Sequence, residues 1–223
     1  MESYKREFIE FLQSAGVLKF GDFTAKSGRK IPYFINAGMI KTGNDIARLG
    51  EFYAKAYFEK LGAKPAVLYG PAYKGISLSV SAAVALSKNG LNVPFFFNRK
   101  EVKDHGEGGT MVGYKPKDGD RVAIIEDVVT AGTAVRETIE LFKQIGDIKI
   151  EALFVSADRM ERGTRDCTTL DELREDYGIK VYPIVTIQDI KETLHNKEIN
   201  GKVYIDDEMR ARMDAYLAEY GAR

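Results

Sequence analysis

Cysteine occurs once in the 223 residues, as Cys167, so no intrachain disulfide is possible, and the Cys and His neighbours that a zinc site needs are missing. A reducing cytosol is the expected compartment. Neither sign of charge is in excess, because 33 Lys+Arg stand against 33 Asp+Glu. A neutral chain exerts no general pull on nucleic acid or anionic lipid, so any phosphate chemistry has to come from local clusters. Long apolar runs are also lacking. Met1-Glu2-Ser3-Tyr4-Lys5-Arg6-Glu7 mixes acids with bases and leads into no hydrophobic stretch, which argues against a signal peptide and against a membrane span. There is no internal repeat and no low-complexity tract. Gly-x-x-x-x-Gly-Lys-Ser/Thr and Gly-x-Gly-x-x-Gly are both absent, which counts against a Walker A nucleotidase and a dinucleotide enzyme.

What is present is a globular composition, 44% hydrophobic and 30% charged, over about one and a half typical domain lengths. One α/β domain with an appendage is expected. Phe8, Phe11, Leu12 and Ala15 share a helical face and predict a helix over residues 4–15. Aromatic-rich runs on either side of Ser27-Gly28-Arg29-Lys30 predict a β-hairpin. Ile46, Leu49, Phe52, Tyr53, Ala56 and Tyr57 mark a helix over 45–61, with Gly62 as its stop. Apolar runs at 66–69, 93–97, 121–126, 150–156 and 181–185 then alternate with helical stretches near 76–89, 133–145 and 170–177. That order implies right-handed crossovers and a parallel sheet of about five strands. Arg210, Met213, Tyr216, Leu217 and Tyr220 predict a closing helix. The expected divisions are an N-terminal hood of helix and hairpin over 1–40, a core over 41–195, and a C-terminal helical segment over 196–223 packed on the core or hood.

Ligands of such sheets bind beyond the carboxyl ends of the strands, which directs attention to the loops there. In Glu126-Asp127-Val128-Val129-Thr130-Ala131-Gly132-Thr133, two carboxylates precede small and hydroxyl-bearing residues that open a helix. Thr130 to Thr133 could offer N–H groups and hydroxyls to a phosphate at the positive end of the helix dipole. The carboxylates would repel that phosphate but accept from sugar hydroxyls one ribose away, so the pairing suggests a ribose 5-phosphate. An ordinary strand-to-helix turn with a threonine cap has the same spacing. Arg99, Lys100, Lys103 and His105 precede Gly106, Gly108, Gly109 and Gly113, which oppose both helix and regular strand. A loop of about twenty residues without its own structure is expected there, as a cationic lid over an anionic leaving group, although a bare charge run is usually a solvated surface. Gly70-Pro71-Ala72-Tyr73-Lys74-Gly75 is expected as a tight turn exposing Lys74 at the same edge. Arg159 suits either a bidentate contact with a carboxylate ligand or an ion pair with a neighbouring acid.

Together with Leu18-Lys19-Phe20-Gly21 and Lys26-Ser27-Gly28-Arg29, these segments resemble the orotate phosphoribosyltransferases, a branch of the type I phosphoribosyltransferase family, from Leu18 to about Val185. The segment from Glu126 to Thr133 is shared by many type I enzymes. Arg-Lys-Glu-Val-Lys-Asp-His-Gly-Glu-Gly-Gly and Gly-Pro-Ala-Tyr-Lys-Gly mark the orotate branch. The resemblance implies the type I phosphoribosyltransferase fold, with a mainly parallel sheet and a small N-terminal hood. It also implies transfer of the phosphoribosyl group of 5-phospho-α-D-ribose 1-diphosphate (PRPP) to N1 of orotate, giving orotidine 5′-monophosphate and pyrophosphate in pyrimidine biosynthesis. Mg²⁺ would be held mainly through PRPP and water rather than by a protein metal site.

By the same resemblance Glu126 and Asp127 hold the ribose hydroxyls, and Val128, Val129, Thr130, Ala131, Gly132, Thr133 and Ala134 bind the 5-phosphate. Lys26, Tyr73 and Lys74 lie at the pyrophosphate side. Arg99, Lys100, Lys103 and His105 belong to a flexible loop that, in this family, closes over the neighbouring subunit of a homodimer. Orotate meets Lys26, the backbone of Phe34 and Ile35, Thr130 and Arg159. Catalysis falls to Lys103, Lys100, His105 and Asp127. Glu126 departs from the Asp-Asp of many relatives by a longer arm of the same charge. The chemistry agrees, since breaking the C1–O bond leaves an oxocarbenium-like ribosyl group and a highly charged pyrophosphate, which Lys74, Lys100 and Lys103 with Mg²⁺ would stabilise. A closed lid would also keep water from hydrolysing PRPP.

Two other readings have less support. A regulatory protein that keeps the fold as a PRPP sensor and binds nucleic acid would need a basic face or an added domain, against a neutral chain with room for one helix before residue 18. A purine-using enzyme of the superfamily fits Glu126 to Thr133 but not Lys26, the 98–109 loop or Arg159. The expected partners are therefore PRPP and orotate, in the cytoplasm, with neither nucleic acid nor membrane.

Overall fold

Apolar spacing and side-chain caps set most element boundaries in the computed structural model, which describes residues 1–25, 28–103 and 109–222, with the backbone alone at 102, 103 and 109. The chain begins with α1 (Ser3–Ser14), a hairpin of β1 (Leu18–Thr24) and β2 (Lys30–Ile35), and α2 (Gly43–Leu61). Next come β3 (Val67–Gly70), α3 (Lys74–Lys88), β4 (Phe95–Lys103), β5 (Gly109–Gly113), β6 (Arg121–Glu126), α4 (Thr133–Ile145), β7 (Lys149–Asp158), α5 (Thr169–Tyr177) and β8 (Val181–Thr186). It closes with α6 (Ile187–Leu194), the short strands β9 (Glu198–Ile199) and β10 (Lys202–Val203), and α7 (Asp207–Tyr220). The periodicity above does not predict α6, although Thr186 and Asp189 form a reciprocal capping box ahead of Ile187, Ile190 and Leu194. Eight residues running straight on from a strand are too few for a helical period to stand out.

The central sheet has six strands rather than about five, in the order β5-β4-β3-β6-β7-β8. Neighbours from β4 to β8 are parallel, and β5 is antiparallel to β4. This corrects the expectation of a long unstructured loop, because β4 continues through Arg99 and Lys100 to Lys103 and pairs with Gly109–Gly113. Glycine is used in this ribbon for close approach. Gly113 has φ 92°, and a Cβ there would lie 2.6 Å from the Phe95 carbonyl oxygen. His105 lies outside the described residues.

Period-two alternation sends the strand side chains to two covered faces. Leu68, Ala123, Ile125, Ala152 and Phe154 pack with residues of α1, α2, α3, α6 and α7, while Tyr69, Val122, Ile124, Leu153 and Val155 pack under α4 and α5. Burying each large side chain contributes on the order of 2 kcal/mol. In α1, Phe8 meets Phe52 of α2 with ring centroids 4.9 Å apart, and β2 meets α7 through Tyr33 and Tyr216, edge to face at 5.7 Å. Among the described residues no helix is long and apolar enough to cross a membrane.

The connections position the site. α3 carries the chain from β3 outward to β4, and α4 carries it from β6 outward to β7 on the other side, so the winding reverses between the neighbouring strands β3 and β6. A crevice at the carboxyl ends of that pair is the switch point of an open α/β sheet.

Candidate active site

Two helices begin at this crevice without a side-chain cap, as does α1 at the start of the chain. Thr42, Thr168, Thr186 and Asp206 cap α2, α5, α6 and α7 with their side chains. At α3 and α4 the cap positions are Tyr73 and Gly132, neither makes a side-chain cap, and neither first turn holds an acid. Their leading N–H groups are therefore left for an anion. The alternative of a threonine-capped turn at Thr130 to Thr133 does not occur. Gly132 adopts φ 73°, and a Cβ there would stand 3.0 Å from Thr169 Cγ2, so the turn requires glycine. Around it Val128 and Val129 are half-buried, whereas Thr130, Ala131, Thr133 and Ala134 are exposed. The expected turn after β3 is present at Ala72 and Tyr73 and runs directly into α3, whose exposed first residue is Lys74.

Glu126 closes β6, and Asp127 follows it. The Asp127 carbonyl accepts from the Ser156 hydroxyl at 2.6 Å and from Ser156 N–H at 2.8 Å, and the Tyr53 hydroxyl donates to the Glu126 carbonyl at 2.6 Å. These ties hold both carboxylates at the crevice. Glu126 Oε1 accepts from Asp127 N–H at 2.9 Å, Asp127 Oδ1 accepts from Val128 N–H at 2.7 Å, and Asp127 Oδ2 pairs with Lys74 Nζ at 2.8 Å. Burial, followed by the charge of Asp127, pushes the Glu126 carboxyl from its ordinary 4.5 up to about 7.

A folded-state value above the unfolded one means that the native state binds the extra proton. The stabilisation is complete below about 4.5 and is lost as pH rises through about 7. Glu126→Gln is therefore expected to unfold like the wild type at pH 5 and to be more stable than it at pH 8, by on the order of 2–3 kcal/mol. Denaturant unfolding at the two pH values measures this, and a difference independent of pH would refute it.

On one side of the Glu126–Thr133 segment lies a cavity of about 250 Å³ whose lining includes Arg29, Val129, Thr130, Ala131, Arg159 and Glu161. Arg159 is paired, Nη2 to Glu161 Oε1 at 2.6 Å, and its guanidinium stands 5.6 Å from the Tyr33 ring centre. Phe34 stacks on Phe23 at 5.7 Å and is 44% exposed. The motifs do not predict Arg29 and Glu161 here. Arg29 ends the Lys26-Ser27-Gly28-Arg29 segment, and Glu161 is an acid two residues after Arg159.

On the other side is a cleft of about 360 Å³ lined by Ala72, Arg99, Lys100, Ala134 and Glu137 among others. Asn98 Oδ1 joins β4 to the β3–α3 turn, accepting from Ala72 N–H at 2.9 Å and from the Tyr69 hydroxyl at 2.8 Å. Lys100 Nζ lies 5.1 Å from the ring centre of Tyr73, which is 68% exposed. Lys26 and the Lys103 side chain are outside the described residues. Among the described residues no three His, Cys, Asp or Glu side chains are grouped to hold a metal.

The Phosphoribosyl transferase domain family model matches residues 36–184. Over 224 aligned residues the chain is 51% identical to the orotate phosphoribosyltransferase of Clostridium acetobutylicum, with 100% of both chains covered. The chain belongs to the orotate phosphoribosyltransferases. Another member, from Photorhabdus laumondii subsp. laumondii, is 46% identical, with 99% of this chain and all of that one covered. Within the family, the crystal structure of orotate phosphoribosyltransferase from Francisella tularensis superposes with a TM-score of 0.82 at 35% identity, covering 96% of this chain and 99% of that one. Leishmania donovani UMP synthase shares the fold, with a TM-score of 0.73 at 24% identity over 97% of this chain and 42% of its own. Arg29, Tyr33 and Tyr216 lie outside the matched residues 36–184.

Proposed function

We infer that the chain transfers the 5-phosphoribosyl group of PRPP to N1 of orotate, releasing pyrophosphate. The observation that carries this reading is the Glu126–Asp127 pair at the switch point, between an uncapped helix N-terminus and a cavity walled by arginine. The α4 N-terminus and the Thr130–Thr133 backbone take the 5-phosphate, Asp127 and Glu126 accept from the ribose hydroxyls, and Arg159 faces the carboxylate of orotate. Lys74 and Lys100 stand toward the leaving diphosphate.

The donor set suits a Mg²⁺ brought by the substrate. Asp127 already has one oxygen on Lys74, so the ion would be held by PRPP oxygens and water, with the Glu126–Asp127 pair as the available carboxylates. When bound, it neutralises charge on the departing diphosphate. The chain's own part is to orient the ribose, hold the base in line with C1, and supply lysine charge where negative charge develops.

The β4–β5 ribbon is assigned as the lid carrying Arg99, Lys100, Lys103 and His105, closing over the site of a second copy in a homodimer. An apolar groove between α2 and α3, where Val84 is 52% exposed beside Ile46 and Val80, offers a face for that copy. The reaction is placed in the cytoplasm, where Cys167 remains reduced. Incubation with Mg²⁺, PRPP and orotate is expected to consume orotate ultraviolet absorbance. No loss with orotate, alongside consumption of uracil, adenine or hypoxanthine, would overturn the assignment.

A further inference from the structure

Glu161 lies two residues beyond Arg159 on the loop after β7, with its side chain 12% exposed. Its Oε1 accepts from Arg159 Nη2 at 2.6 Å, from the Tyr216 hydroxyl at 2.8 Å and from the Tyr33 hydroxyl at 3.0 Å. Its Oε2 pairs with Arg29 Nη2 at 2.8 Å. The four donors come from the hairpin, the β7 loop and α7. The backbone beneath is held as well, because Arg162 N–H donates to the Tyr220 carbonyl at 2.9 Å and Ala222 N–H to the Met160 carbonyl at 3.0 Å. A nearly buried carboxylate satisfied by four donors does not move easily.

Two of those donors, Arg29 and Arg159, also line the cavity beside Thr130. Each keeps a buried Nε with no hydrogen-bond partner among the described residues. Glu161 thus engages Nη2 of each guanidinium, while both arginines remain part of the cavity wall. Arg29, Arg159 and Arg162 against Asp158 and Glu161 leave one net positive charge at that wall, the complement of a monocarboxylate. An unpaired arginine on its own would be free to change rotamer, and rigid placement of the fork is what makes bidentate carboxylate recognition selective.

We propose that Glu161 is a positioning residue for the acceptor base, holding Arg159 and Arg29 in the geometry that receives a monocarboxylate and tying that geometry to α7 through Tyr216. This rests on the reading that Arg159 faces the orotate carboxylate. It gives α7, distant in sequence from the rest of the site, a part in base recognition.

Steady-state kinetics on the full chain tests it. Glu161→Gln keeps the shape but removes the charge and turns one acceptor into a donor facing donors. It is expected to raise the orotate KM at least tenfold while the PRPP KM stays within twofold. Tyr216→Phe, which removes one donor and little volume, is expected to raise the orotate KM about threefold, again with the PRPP KM unchanged. An orotate KM within twofold of wild type in folded Glu161→Gln overturns the proposal, and so does an equal rise in both KM values, which is what general loosening of the fold would produce. If Glu161→Gln does not fold, Tyr216→Phe and Arg29→Lys decide, and an unchanged orotate KM in both overturns it. Arg159→Lys separates the two levels of failure. No change in its orotate KM removes the reading of Arg159 itself, whereas a large rise there with none in Glu161→Gln removes only the role of Glu161.

Discussion

Asp127→Asn is expected to lower kcat/KM for PRPP by about 10²–10³, with kcat falling too. Asp127 is 7% exposed and has one oxygen on Val128 N–H and the other on Lys74. In the proposed complex it also accepts from a ribose hydroxyl. A hydrogen bond to a charged group is worth about 1.5–3 kcal/mol, and the amide weakens two of them, which gives roughly that loss. The charge matters beyond binding. As the C1–O bond breaks, positive charge grows on the ribosyl group, and a fixed carboxylate in a site of low dielectric stabilises it more than it stabilises the ground state. Overall stability should change little, because the Lys74 side chain is 54% exposed and water replaces its partner. Kinetics over a PRPP series, with a circular dichroism melt as control, checks both statements. A loss below tenfold would remove Asp127 from the catalytic group.

Lys103→Ala is expected to reduce kcat by about a hundredfold or more while changing the PRPP KM far less. Lys103 is the last residue of β4, paired with Gly109 at the end of the ribbon where the chain passes from β4 to β5. A contact made only when a lid closes is absent from the ground-state complex, so its loss appears in kcat. One charge-stabilising contact to the leaving group, at about 3 kcal/mol, accounts for that factor. An unchanged kcat would exclude a working lid at this position. The two variants also test the arrangement in the proposed homodimer. Mixed Lys103→Ala and Asp127→Asn subunits should recover part of the activity if the ribbon serves the neighbouring copy, because one site then combines an intact lid with an intact Asp127. No recovery would mean that each ribbon closes over its own subunit.

Regular elements with a long apolar period were legible in the sequence, including α2 with its Gly62 stop and the buried strands from β6 to β8. The segment Glu126 to Thr133 was legible for another reason, since all its chemistry lies in eight consecutive residues. β5 was hidden because its glycines suggest loop, and only its pairing with β4 offsets their conformational cost. α6 was hidden by its length and by starting where β8 ends. Arg159 left two alternatives open, ligand contact or ion pair, and the structure supplies the ion pair with Glu161.

By itself the sequence determined the order of most elements, the family pattern and the contiguous segment Glu126 to Thr133, because periodicity and contiguous motifs act over a few residues. The tertiary structure alone decided that Lys74 meets Asp127 across 53 positions, and that one carboxylate at Glu161 joins Arg29 from 132 positions away to Tyr33 from 128 and Tyr216 from 55. Charge and hydrogen bonding depend on distance in space. Which acid a given arginine faces, and which helix N-terminus is left uncapped, is settled only when the strands have taken their places in the sheet.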